Sequence, residues 1–596
     1  MSKEVLIGGA GAFIGDSILG PMQLVDVPGM QYLVFDYLAE MTLAGFVRAQ
    51  AQNPDAGYAE DFVHYTLPQI AKSCAQRGIR IVTNAGGINP AACAAAVTAV
   101  LDALGVDLRV AYVTGDSALA LMPALRRDAA PDFYHQGLPP QEVASANLYL
   151  GAPPIAKALS LDADIVITGR VVDSATTLGI LMHEFQWADD DWDRLAMGAL
   201  AGHLLECGAQ VTGGLFTDWE RVPNWANIGY PFARCHEDGR FTIEKPAGTG
   251  GKITPRTVAE QVLYEVADPT NYVLPDVVCD FSHVQLSQAG QQVVAVANAR
   301  GKPRPATYKL SAAYRDGYRC VAELSVFGFS AIKKARRTGQ ALLTRIEKLL
   351  ADQGLPGFSK ALVTVIGAED YYGPHARVPD LREAVARIAV ISDHAETLEL
   401  FSREVRAPGV SFGPATTSGS ALTLNSRAPI EPVYKLYTAL VEKSRMPAPV
   451  VAMADKTWAV EINTQGAEPI AYVVDQDETA VADDIDVSPT QMLPLVQVAH
   501  ARSGDKGNTS NIAIFARDAQ DYEHLKNVLT PARLRQHLRH LVSGRINRYL
   551  APGMHAINFV IEDALDGGGP SSLRPDPMGK GLAQMVLAME IPMPPA

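Results

Sequence analysis

At 596 residues the chain is too long for one hydrophobic core, and a prior of about 150 residues per domain predicts two to four domains. Hydrophobic residues at 48% and charged residues at 19% exclude a disordered chain. A formal charge of -14, with no basic run beyond Lys333–Arg337, excludes the electrostatic footprint of a nucleic-acid binder.

The six cysteines, Cys74, Cys93, Cys207, Cys235, Cys279 and Cys320, include no CxxC pair. That pattern is neither a disulfide framework nor a zinc site, and it fits a reducing compartment. The opening MSKEVLIGGAG lacks the apolar core of a signal peptide, and no stretch approaches the ~20 apolar residues that span a bilayer. The expectation is a cytoplasmic protein with no membrane, nucleic-acid or metal partner; the sequence points to no particular cofactor.

From Val5 to about Gly214, β-rich runs alternate with helical patterns. The runs are Val5–Gly9, Tyr32–Asp36, Arg80–Gly87, Leu108–Asp116 and Ala163–Arg170, with an Ala-rich helix at Pro90–Leu104. Near-continuous apolar strands joined by helices predict an α/β fold with a mostly parallel sheet flanked by helices, whose ligands sit beyond the strands' carboxyl ends. From about 214 to 330, prolines and turns predict an irregular lobe, in which a helix starts at Thr254 and runs to about Val266. Strands are expected at Val293–Ala297, Tyr308–Tyr314 and Cys320–Phe329, then a basic helix at Ala331–Ala351. Alternation continues through Ala361–Ile366, Arg387–Ser392 and Ile470–Val474, with a Gly/Ser/Thr-rich loop at Pro408–Ser420 and an acidic linker at Asp475–Val487. The large domain is bounded at about 1–450, a connecting segment at 451–490, and a small α+β ferredoxin-like domain at 491–596. That last unit reads as strand Pro494–Ala499, polar loop Arg502–Asn508, strand Asn511–Ala516, helices Asp521–Leu529 and Pro531–Leu541, and strands Ala556–Glu562 and Gln584–Ile591.

Gly9-x-Gly11-x-x-x-Gly15, with Asp36 ending the second strand, has the parts of a dinucleotide site. Against it, Gly20-Pro21 interrupts the crossover helix, since an interior proline costs about 3 kcal/mol. The plainer reading is a tight strand-to-helix turn. The pairs Asp16/Ser17, Asp116/Ser117 and Asp173/Ser174 read first as helix N-caps, but their turns should converge on one sheet edge where helix N-termini favour an anion. Gly11, Asn84, Gly87, Asn89, Arg170 and Ser174 belong to that expected site. Arg170 either grips a carboxylate or phosphate there or pairs with Asp173. Gly250 and Lys252 offer a further anion contact, although GTGGKITP is not a P-loop. Cys235-His236 and Cys279-x-x-x-His283 read as packing rather than as metal ligands. Arg502, Asp505, Lys506 and Asn508 crowd a polar loop eased by Gly504 and Gly507, whose plain alternative is a hairpin turn; Asp566–Ser572 is expected beside it.

IGGAGAFIGDS, VTNAGGINP, DIVITGRVVDSATTLG, PAGTGGKITPRTVAEQVLYEV and ARSGDKGNTSN together resemble the AtuA family of acyclic terpene utilisation proteins, across nearly the whole chain. The resemblance implies a catabolic role beside enzymes that degrade citronellol and geraniol through CoA thioesters, with lyase or hydratase chemistry on an acyl-CoA or carboxylate. Such chemistry needs a base to move a proton and cationic or amide groups to hold an enolate. Asp173, Asp116 and Asp16 are the catalytic candidates; Asn84, Arg170, Lys252, Arg502 and Lys506 lead the substrate holders. The expected partner is a small anion, with a CoA thioester among the candidates, and a homo-oligomer is expected. An NAD(P)-dependent oxidoreductase on the opening glycines and a non-catalytic subunit of a catabolic complex are the alternatives.

Overall fold

The computed structural model describes residues 3–39, 42–133, 137–378, 380–417, 427–467 and 491–594. The expected strand Ile470–Val474 and the acidic linker fall outside them.

Five parallel strands form the centre of the large sheet: β1 (Glu4–Gly11), β2 (Tyr32–Phe35), β3 (Arg80–Thr83), β4 (Val110–Thr114) and β5 (Ile165–Thr168). Their spatial order is β1-β2-β3-β5-β4. Alternate residues leave the two faces of a strand, and here both faces are apolar. Val5, Ile7, Val34, Val82 and Val166 enter one core, while Leu6, Leu33, Phe35, Ile81 and Ile167 enter the other. The Pro90–Leu104 helix, capped by Asn89, packs into the second core. Antiparallel strands extend the sheet on both sides to eleven strands among the described residues: Phe232–His236 pairs with β1, and Val450–Met453 pairs with β4. Much of the stretch read as an irregular lobe therefore supplies regular strands, including Phe241–Glu244, Gln285–Gly290 and Val293–Ala297.

A second sheet is built on one strand of 21 residues, Thr307–Phe327, where the sequence suggested two. The break in hydropathy near Arg315–Tyr318 is a register shift within the strand rather than a turn. The basic helix runs from Ala331 to Asp352 and covers one face.

In the C-terminal unit the sheet order is Ala499–Lys506, Thr509–Ala516, Ala556–Ile561, Ile546–Ala551, all antiparallel. Two hairpins therefore lie side by side, joined through Thr509–Ala516 and Ala556–Ile561, with the helices Ala519–Val528 and Pro531–Leu538 between them in the chain. Two expectations change here. Arg502–Lys506 is strand, not loop, and Gly507-Asn508 alone makes the turn; Leu582–Leu587 is helix, with the final strand at Glu590–Met593. The unit shares a core with the large domain: Ala513, Phe515, Ala551, Met554 and Ala556 belong to the same hydrophobic cluster as Val258 and Val262 of the Pro255–Val262 helix, and Leu286 of the Gln285–Gly290 strand packs against it.

Candidate functional site at the carboxyl edge of the parallel strands

The chain leaves β2, β3 and β5 at Asp36, Asn84 and Arg170, so adjacent parallel strands bring these three side chains to one edge. Asn84 is fully buried; its amide donates to Asp36 Oδ1 at 2.5 Å, and its Oδ1 accepts from Tyr37 N at 2.7 Å. Arg170 is 2% exposed. Its Nη1 donates to Leu38 O at 2.9 Å and Asp173 Oδ1 at 2.8 Å, and its guanidinium lies 4.0 Å from the Tyr149 ring centre. Burial first, and then the charge of Asp173, push the Asp36 carboxyl up to about 8, while Arg170 and Asn84 pull the other way.

Gly9 explains how a helix reaches this edge. A Cβ there would lie 2.5 Å from Leu205 O, so only glycine lets the Trp192–Glu206 helix cross β1 closely. The helix ends in a buried pair, His203 Nδ1 to Glu206 Oε1 at 3.0 Å, with His203 Nε2 against Val262 O at 3.2 Å. Both outer partners are acceptors, which favours His203 with two N–H groups. Burial opposes that charge, but Glu206 outweighs it and raises the His203 pKa; Glu206 is itself raised by burial, against the pull of His203. Glu206 acts electrostatically on both Asp36 and Asp173. Three buried polar atoms around this edge have no hydrogen-bond partner: Arg170 Nε, Ser174 Oγ and Glu206 Oε2.

The C-terminal hairpin closes the other side. Gly504 allows close approach, since a Cβ there would meet Glu265 Cγ at 2.6 Å. Lys506 Nζ then reaches Glu265 Oε2 at 2.8 Å, and Lys580 Nζ reaches Asp505 Oδ1 at 2.9 Å and Glu265 Oε1 at 3.4 Å. Burial raises the Asp505 carboxyl, with Lys580 opposing. The field of Lys506 extends to His203 and Glu206. The junction is fixed by buried amides: Asn511 Nδ2 donates to Leu263 O at 2.8 Å and Asn511 Oδ1 accepts from Glu265 N at 3.1 Å, while Asn558 Nδ2 donates to Val266 O at 2.9 Å.

The remaining expected residues hold structure. Asp116 Oδ2 accepts from Asn147 at 2.8 Å and from Arg170 N at 3.0 Å; burial raises its pKa, and its role is to anchor the turn after β5. Asp16 accepts from Ala12 N, Ser17 N and the Tyr230 hydroxyl, closing the β1 turn. Neither is placed as a catalytic acid. Gly11 ends β1 inside the sheet, and Gly87 packs against Phe46 and Gly57, where a Cβ would lie 2.5 Å from the Phe46 ring. Asn89 caps its helix and donates to Ala56 O at 3.0 Å. Gly250 abuts Asn224 O, and Lys252 N donates to Thr212 O at 2.6 Å, in the segment leading to a Thr254-capped helix, so this loop is a packing turn. Asn508 ties the hairpin to Asp563 and to Gly567 N, so Asp566–Ser572 does lie beside it. The N-cap reading fails for Ser174, which makes no capping bond; Ser17 accepts from Leu19 N at 3.2 Å, and Ser117 bridges Asn147. Pro21 sits in the first turn of the Leu19–Leu24 helix, where its missing N–H costs no bond. Because Gly9 and Gly11 lie within β1, leaving only Gly15 in the turn beyond it, and an antiparallel neighbour sits beside the strand, the geometry gives the dinucleotide reading no support. Cys235 is buried in its strand, and Cys279 is buried while His283 faces outward, so these pairs are packing. Asp36, considered at first only as a ribose acid, and His203, Glu206 and Glu265 are the residues missed. Their signal was an i, i+3 polar pair inside an apolar helix.

A family model described as acyclic terpene utilisation family protein AtuA matches residues 5–452, and a second, the AtuA ferredoxin-like domain, matches 493–592. The chain belongs to the AtuA family. Membership places it in acyclic terpene utilisation, a catabolic role. Searches among curated proteins and solved structures found no match. Among the described residues no helix is long and apolar enough to cross a membrane.

Proposed function

We propose that this AtuA-family chain is a hydratase or lyase acting on an unsaturated acyl thioester or carboxylate at the carboxyl edge of β2, β3 and β5. The observation that carries the reading is the set of buried, unpartnered atoms, Arg170 Nε, Ser174 Oγ and Glu206 Oε2, gathered around an Asp36 held protonated near neutrality. A cationic donor, an unpartnered carboxylate oxygen and a carboxylic acid are the parts an addition of water across a conjugated double bond requires. Water adds its oxygen to the β-carbon while Glu206 Oε2 takes a water proton. The double-bond electron pair moves to the acyl oxygen as an enolate, which accepts from Arg170 Nε and Ser174 Oγ. Asp36 then gives its proton to the α-carbon, and the proton on Glu206 returns to Asp36 between turnovers. The reverse sequence is a dehydrating lyase.

The test is turnover of a branched enoyl-CoA in deuterated water by the purified full chain, read by mass spectrometry as one added water and one deuterium at the α-carbon. Asp36→Asn should abolish that deuterium incorporation, and Arg170→Met should raise KM and lower kcat. Folded variants that turn over like the parent would overturn the assignment.

A further inference from the structure

A second site lies where the two domains meet. A cavity of about 460 Å³ is lined by Leu215, Phe216, Trp219, Trp225 and Ile228 from the large domain and by Arg502 and Ala583 from the small one, among others. That volume is within the range of small-molecule sites, about 300–1,000 Å³. Its walls are chiefly apolar, with two cations among them, Lys580, which is held by Asp505 and Glu265, and Arg502.

Arg502 is 7% exposed, and its guanidinium lies 4.5 Å from the Tyr264 ring centre. Its hydrogen bonds go only to neutral oxygens, Leu215 O at 3.2 Å and Gln210 Oε1. Among the described residues no carboxylate pairs with it, whereas its neighbours Arg517 and Lys580 are matched. Arg517 makes two bonds to Asp218, at 2.8 and 2.7 Å, and Lys580 is held by Asp505 and Glu265. A buried cation without an anion is costly in an apolar setting, and a guanidinium is the donor set best shaped to grip a carboxylate in two places.

We infer that this cavity binds an aliphatic carboxylate, its head on Arg502 and its chain along Phe216, Trp219, Trp225, Ile228 and Ala583. The charge selects the head and the aromatic wall selects the chain. Both domains contribute to the wall, so the ligand also fastens them to one another. This site does not depend on the reaction proposed at the strand edge.

Titrating decanoate into the full chain by calorimetry, with decanol as the uncharged counterpart, tests it. Decanoate should saturate one site, accompanied by a change in tryptophan emission from Trp219 and Trp225. Decanol should bind about tenfold more weakly or worse, the usual loss for a missing charge-assisted contact. Arg502→Gln should erase the preference for decanoate, and Ala583→Phe, which fills the cavity and keeps the charge, should weaken both ligands. Equal binding of decanoate and decanol to the parent protein, or no saturable binding, overturns the inference without any variant, so a misfolded Arg502→Gln does not protect it. Decanoate binding that survives Arg502→Gln and is lost in Arg170→Met would place the ligand at the strand edge and equally overturn it.

Discussion

Replacing Arg170 by Met tests the central electrostatic argument. The change removes a hydrogen bond to Leu38 O at 2.9 Å, an ion pair to Asp173 at 2.8 Å and a guanidinium stacked 4.0 Å from Tyr149. Removing one partner of a buried pair costs about 3–5 kcal/mol, and because Asp173 remains a quarter exposed the lower end applies. Methionine has nearly the same reach and returns about 1 kcal/mol through burial of its own apolar surface. A net local loss of about 2 kcal/mol corresponds to about thirtyfold faster hydrogen exchange in the peptides spanning Ile165–Ser174 and Phe35–Leu38. Mass spectrometry of exchange on the intact chain reads this directly. Arg170→Lys should fall between, since it keeps the charge and loses the planar stack. Exchange unchanged within about twofold in a folded variant, or acceleration spread evenly over the sheet, would refute the claim that Arg170 pins this edge.

Asp36 carries a pKa raised by burial to about 8, so the stability it confers is complete below the unfolded value of about 4 and is lost as pH rises through about 8. Asp36→Asn should therefore flatten the fall in melting temperature between about pH 4 and 8, and turnover by the parent chain should fall as pH rises through about 8. Gly9→Ala should destabilise by about 2 kcal/mol or more through the Leu205 carbonyl, whereas Gly45→Ala, with open space around it inside a helix, should be neutral or stabilising; equal effects would remove the close-approach argument. Asn511→Leu leaves Glu265 N without its partner and Leu263 O with only Val266 N, at a cost of about 1–3 kcal/mol, and should split thermal unfolding into two transitions; a single unshifted transition would show that the junction does not rest on this amide.

The parallel centre was legible because strands buried on both faces are written as unbroken apolar runs, and all five runs ending at Gly9, Asp36, Gly87, Asp116 and Arg170 contain a strand. Arg170 and Asn84 were legible for the same reason: a polar residue just past such a run must stand at the carboxyl edge. The glycines of β1 misled because glycine is selected equally by a phosphate-cradling turn and by a helix crossing a strand closely, and only the position of Leu205 O separates the two. Asp16, Asp116 and Asn89 share a different ambiguity: a short polar side chain beside a turn satisfies backbone amides at least as readily as it meets a ligand. His203 and Glu206 lay in a helix whose apolar character drew attention from the pair, and their meaning depends on a fold that brings residue 206 to residue 36. The C-terminal hairpin was read as a loop because its strand carries Arg, Ser, Asp and Lys. Those residues are polar since this strand faces the other domain's buried charges rather than an apolar core.

That last point bears on why the small domain is fused to the large one. Glu265 is enclosed by the junction, which alone would raise its pKa, yet Lys506 and Lys580 overcome burial and hold it down to about 2. Ionised Glu265 fixes the Lys506 ammonium beside it at 2.8 Å rather than leaving it as a mobile surface charge. From there Lys506 lowers both the Glu206 and the His203 pKa, opposing the burial that raises one and the carboxylate that raises the other. The acid–base pair on the large domain is thus tuned by a charge from residue 506, positioned by a glycine at 504 and anchored by amides at 511 and 558. Without the hairpin, His203 and Glu206 lose the Lys506 contribution to their proton affinities, while the contributions of Asp173, Arg170 and Asn84 to that of Asp36 stay within the large domain.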